Sequence, residues 1–191
     1  MTPLLAAALG FQEFCGQRSW KSCIIGGIAV LRWGEPRFTR DVDVTLLTGF
    51  GNELAFIQTI LSSGYSGRIA DAAGFALKHR VLLLESPNDI PIDISLAGFP
   101  FESLAIERAT LFEFEPGCKL RTCSAEDLMV QKLFASRPRD ISDVQTIAGK
   151  QRGHLDWTYI ESQLAPLAEL KEQPEIMATF ARLRDANPPI K

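Results

Sequence analysis

The residues best suited to chemistry in this chain are three aspartates. Asp41 and Asp43 stand one residue apart in the run DVDVTLL, and Asp93 lies inside a second apolar run, IPIDISLA. Alternating β-branched and apolar residues read both runs as strands, and the two-residue period puts Asp41 and Asp43 on one face. A neighbouring strand can bring Asp93 within about 5 Å of them. Three carboxylates that close repel strongly unless a divalent cation neutralises them. Oxygen ligands that leave water positions open suit Mg²⁺, which is usually held by one or two carboxylates together with substrate phosphates. Aspartate is disfavoured in strands, so three of them within good strands call for a reason.

Gly26 and Gly27 supply the other half of such a site. They follow the apolar stretch WKSCII and precede IAVLRW, so a buried strand ends in two glycines that open a helix. Glycine lets the backbone approach a phosphate, and a helix N-terminus presents free N–H groups. Metal-binding carboxylates beside such a turn describe a triphosphate site. Each part also has a plainer reading: paired aspartates can face water, and a glycine pair can be simple turn punctuation.

The elements that must position these residues form a mixed α/β pattern. Thr2 and Pro3 start a helix that ends near Cys15 or Gly16. After IAVLRW, GEPRFTR is a loop carrying Arg37 and Arg40, which either attract phosphate or are merely solvated. Residues 52–63 read as a helix capped by Asn52. ALKHRVLLLES and IPIDISLA read as two strands paired through Pro87-Asn88-Asp89. This places His79 on a strand surface and makes Lys78 and Arg80 a basic rim for an RNA acceptor. FESLAIERA is helical, and TLFEFEPGCKLRTC is an edge hairpin turning at Pro116-Gly117. From Ser124 the pattern is helical: Ser124 with Asp127 forms a capping box, Asp140 caps a helix to Gly149, Asp156 caps another to about Leu170, and Pro174 precedes a last one. The tail NPPIK is expected to fray. The domains expected are a core over residues 1–123 and a C-terminal helical segment over 124–191, with the site in the cleft between them.

Composition narrows the class. The chain has 191 residues, 46% of them apolar, which excludes disordered and fibrous types. Twenty basic against twenty-three acidic residues give a net charge of −3, so any nucleic-acid contact must be local. No apolar run reaches the roughly 18–20 residues that span a bilayer, and the N-terminus lacks a secretory pattern; the expectation is a soluble, cytoplasmic chain without membrane partners. Cys15, Cys23, Cys118 and Cys123 lack the spacing of a zinc or redox pair and read as thiols. His79 and His154 are too few and too far apart for a histidine-based metal site.

The stretch IIGGIAVLRWGEPRFTRDVDV resembles the signature of the DNA polymerase β-type nucleotidyltransferase superfamily: an apolar strand, a glycine pair, a spacer of about this length, then Asp-x-Asp. GGIAVLRWG, TRDVDV, IDIS and the later KLFASRPRDISDV further resemble its AbiEii/AbiGii-like abortive-infection toxin branch. The resemblance implies an α/β (α+β) nucleotidyltransferase fold, a small mixed twisted sheet flanked by helices. It implies that Asp41, Asp43 and Asp93 hold two Mg²⁺ ions, or one with the nucleotide bringing the second, and that Gly26, Gly27 and Arg40 meet the nucleotide. Lys132 would reach the triphosphate, while Asp140 and Asp143 either orient Lys132 or contact ribose. Against this, Lys132 can snorkel from a core edge, and Asp140 and Asp143 can be a cap and a first-turn acid. The implied reaction moves a nucleoside monophosphate from an NTP to an acceptor hydroxyl, in the toxin branch often the 3′ end of tRNA, under restraint by an antitoxin protein. The alternatives are a small-molecule or protein nucleotidyltransferase and a non-catalytic nucleotide- or partner-binding module.

Overall fold

The computed structural model describes residues 1–188. The last three residues of the NPPIK tail lie outside the described residues. The chain divides into two compact units, one of Met1–Ile28 with Phe38–Cys123, the other of Ala29–Arg37 with the chain from Ser124 onward.

The first unit is built on a sheet. Its elements run α1 (Pro3–Gln17), β1 (Ser22–Ile24), the first turn of α2 (Gly26–Trp33), β2 (Val42–Leu47), α3 (Glu53–Leu61), β3 (Ser66–Gly67), α4 (Ala72–His79), β4 (Val81–Glu85), β5 (Pro91–Ala97), α5 (Pro100–Arg108), β6 (Thr110–Glu115) and β7 (Cys118–Thr122). The seven strands lie in the order β3-β4-β5-β2-β1-β7-β6. β2 runs parallel to β5 and β1 to β7, while the other neighbours are antiparallel, so the sheet is mixed as expected.

Period two explains which face is which. Val42, Val44 and Leu46 of β2 and Ile92, Ile94 and Leu96 of β5 are buried in one cluster with Phe11 of α1, Ile57 and Ile60 of α3 and Ala76 of α4. Full burial of such side chains stabilises by roughly 1.5–3 kcal/mol each. The intervening residues, Asp43 and Asp93, therefore project from the opposite face, and they are direct partners in the parallel register. α1 starts as its sequence dictates, with Thr2 Oγ1 accepting the Leu5 N–H at 3.3 Å and proline in the first turn.

Three local expectations are corrected. ALKH is the end of α4 and not the start of a strand: Asp71 caps that helix by accepting the Gly74 N–H at 2.8 Å, and Ala72 and Ala76 bury one helical face. His79 accordingly sits on the helix, its ring 4.4 Å from that of Phe75. Arg80, at φ +56, ends the helix, and its guanidinium is tied to Glu53 and to the Gly49 and Leu96 carbonyls, which takes it out of any basic rim. Second, Asn52 precedes α3 without a side-chain cap bond. Third, Asp140 does not cap its helix, because Arg137 occupies that position and Pro138 is the first helical residue.

The second unit is helical: the rest of α2, α6 (Ala125–Ala135), α7 (Pro138–Lys150), α8 (Trp157–Leu170) and α9 (Glu175–Ala186). α6 packs against α7, α8 and α9. Ser124 Oγ accepts the Asp127 N–H at 3.1 Å and donates to the Asp127 carboxylate at 2.7 Å, and Asp156 caps α8 through the Tyr159 N–H. The segment Ala29–Arg37 is pinned within this unit. Lys150 Nζ donates to Gly34 O at 2.9 Å and the Gln151 amide to Trp33 O at 3.0 Å, and a side chain on Gly34 would meet Thr146 at 2.8 Å. All four cysteines are buried thiols outside any disulfide. Among the described residues no helix is long and apolar enough to cross a membrane.

Candidate active site

The three aspartates converge. Asp41 at the mouth of β2, Asp43 inside it and Asp93 on β5 each offer a carboxylate oxygen within 4.8 Å of the others, all at intermediate burial. The cause is the parallel β2–β5 pairing, which sets Asp43 beside Asp93, together with the two-residue step back to Asp41.

The glycine turn is shaped around the same carboxylates. Gly26 has φ +57, which favours glycine, and a Cβ there would lie 1.9 Å from Asp43 Oδ2 and 2.6 Å from Asp43 Cβ. A Cβ on Gly27 would lie 2.3 Å from Thr39 Oγ1. In place of a side chain, the Gly27 N–H donates to Asp43 Oδ2 at 3.3 Å. Thr39 Oγ1 in turn donates to Asp41 Oδ1 at 3.0 Å. The start of α2 thus orients an acid of the triad with its free amide.

A cation joins this group. The Arg68 guanidinium pairs with Asp93 Oδ1, both side chains being 30% exposed. Burial pushes the Asp93 carboxyl above the ordinary carboxylate range; Arg68 opposes the shift and the charge of Asp41 adds to it. Arg68 and Thr39 were not singled out from sequence. Thr39 stands two residues before Asp41, the spacing of a local side-chain bond, whereas Arg68 meets Asp93 only through strand order.

The second unit gathers the other candidates. Lys132, 6% exposed, places Nζ 3.1 Å from Asp140 Oδ1 and 2.7 Å from Asp143 Oδ2. Arg37 grips Asp143 with two bonds of 2.6 and 2.8 Å, and Arg137 donates to Asp140 at 2.6 Å. Burial alone would raise both carboxyls. The Arg137 and Lys132 contacts outweigh it at Asp140, and those of Arg37 and Lys132 at Asp143, holding both below their usual range. Arg37 is therefore committed to an ion pair rather than solvated. Arg40, by contrast, belongs to the first unit and is exposed, its guanidinium 5.4 Å from the Phe38 ring.

A mixed sheet carrying three convergent carboxylates beside a glycine-opened helix defines a nucleotidyltransferase fold, and solved structures agree. The antibiotic-resistance factor ANT(2'')-Ia in solution is similar at TM-score 0.55 and 16% identity over 88% of this chain and 92% of its own. The lincosamide antibiotic adenylyltransferase LnuA matches at TM-score 0.51 and 15% identity over 77% and 96%. An antigenic nucleotidyltransferase-like protein from Paracoccidioides brasiliensis matches at 0.50 and 17% over 93% and 92%. No curated protein sequence matches the chain. The family model described as "Nucleotidyl transferase AbiEii toxin, Type IV TA system" matches residues 24–184. The chain belongs to this AbiEii family, and it is a nucleotidyltransferase with an NTP as substrate.

Proposed function

We propose that this nucleotidyltransferase moves a nucleoside monophosphate from an NTP to a hydroxyl at the 3′ end of an RNA, tRNA in particular, as the toxin of a toxin–antitoxin pair. The observation that carries the chemistry is the convergence of Asp41, Asp43 and Asp93 beside Gly26 and Gly27. The toxin role rests on the family.

The donor set fits a hard divalent cation. Three aspartate oxygens within 4.8 Å, with no sulfur or imidazole among them, are what Mg²⁺ takes alongside phosphate oxygens and water. Asp41, Asp43 and Asp93 would hold it. When bound, the metal would lower the pKa of the acceptor hydroxyl and neutralise charge on the phosphates. Asp93, whose carboxyl is raised, takes the proton of that hydroxyl. The acceptor oxygen forms a bond to the α-phosphorus, the bond from the α-phosphorus to the bridging oxygen breaks, and pyrophosphate leaves. Gly26 and Gly27 would line the phosphates at the start of α2. Within the helical unit Lys132 is held by Asp140 and Asp143, and in the sheet unit the exposed Arg40 offers a cation to nucleotide phosphates.

Incubation with each labelled NTP and tRNA tests the reading: label should appear on tRNA 3′ ends with at least one nucleotide, and its absence with all four would reject the RNA acceptor. A small-molecule acceptor is the second reading. It is favoured by the net charge of −3, which disfavours broad RNA affinity, and by fold neighbours named for action on a lincosamide and for an adenylylated tobramycin. Small amino- and hydroxyl-bearing acceptors in the same assay separate the two.

A further inference from the structure

Arg68 follows β3 at one edge of the sheet, and its position is set by register. Its N–H donates to the Leu83 carbonyl at 3.0 Å, Leu83 is the cross-strand partner of Asp93, and Asp93 is the partner of Asp43. The arginine thus stands at the end of a line of paired residues that crosses three strands into the triad. Its guanidinium is bound to Asp93 Oδ1, a member of the three-carboxylate cluster. A guanidinium and a divalent cation sharing that carboxylate would repel each other, so occupancy by one disfavours the other. At 30% exposure, and attached to a strand of two residues, Arg68 has open space to turn into.

We propose that Arg68 is a positioning residue for Asp93 that competes with the divalent cation: it holds the carboxylate within the triad before metal arrives and releases it when metal binds. The inference rests on the metal reading given above. Its consequence is that metal affinity is lowered by the fraction of molecules in which the Arg68–Asp93 pair is closed.

The test uses Mn²⁺ alone as the probe, added to the full chain at pH 8 without nucleotide, with free Mn²⁺ followed by electron paramagnetic resonance. Arg68→Met keeps the apolar stem and removes the charge. It should bind Mn²⁺ about fivefold more tightly than wild type, the scale of an ion pair at this exposure. Arg68→Lys, which keeps the charge but loses the planar fork, should fall between them. Thermal unfolding without metal should show Arg68→Met no more stable than wild type, which separates competition from general rigidification. Equal or weaker Mn²⁺ binding by Arg68→Met would overturn the competition while leaving the metal site standing. Failure of both chains to bind Mn²⁺ would overturn the metal reading and the inference with it.

Discussion

At the residue scale, the triad carries a conflict between charge and stability. Asp93 titrates above its ordinary range in the folded chain, so folding favours its protonated form and the ionised form at neutral pH is a cost. That contribution is favourable below the unfolded carboxylate range and is lost as pH rises through the folded value. Asp93→Asn should therefore raise the thermal midpoint at pH 7.5 without metal while abolishing nucleotide transfer. A lower midpoint would contradict the assignment. Asp41→Ala and Asp43→Ala should each reduce transfer by at least about 10²-fold, read as incorporation of labelled nucleotide, with the circular dichroism spectrum retained. Gly26→Ala meets both a positive φ and the Asp43 side chain. It should cost about 1–3 kcal/mol in denaturant unfolding and also lose activity, because the strain is relieved only by moving Asp43.

Among the elements, the α6–α7 pair is joined by buried ion pairs as well as by packing. Lys132, Asp140, Asp143, Arg37 and Arg137 form one network within the helical unit. Lys132→Met should destabilise by about 3 kcal/mol, since it strips a cation from two buried carboxylates. Asp140 and Asp143 titrate below the value of 3.8 usual for aspartate. Their stabilisation is in full force above that value and fades as pH falls through the folded values. Urea unfolding should show wild type more stable than Asp143→Asn at pH 6, with the gap closing toward pH 3. This network also shows the limit of reading a sequence. Asp41, Asp43, Asp93 and the glycine pair were legible because strand period and glycine punctuation are local signals. The Arg37–Asp143 contact joins residues 106 apart, and no local pattern announces it. α4 was misread for a different reason: Leu77 through Leu84 forms a run with strand-like apolar content, and the helix is decided upstream by the Asp71 cap and the Ala72–Ala76 face.

For the molecule as a whole, charge limits how RNA can be bound. With a net charge of −3, phosphate contacts have to come from a local group of the twenty Lys and Arg residues. If tRNA is the acceptor, log affinity against log salt should have a shallow slope, corresponding to few phosphate contacts. Filter binding over a range of KCl measures it, and a steep slope would show a basic surface engaging many phosphates.

The segment Ala29–Arg37 belongs with helices that arrive more than eighty residues later in the chain. Swapping the helical unit between relatives at a single cut before Ser124 would thus transplant only part of it. Ala29 and Val30, both fully buried, would face foreign neighbours. A working chimera has to exchange two separate pieces across three junctions, and Gly26 and Gly27 sit just upstream of the first.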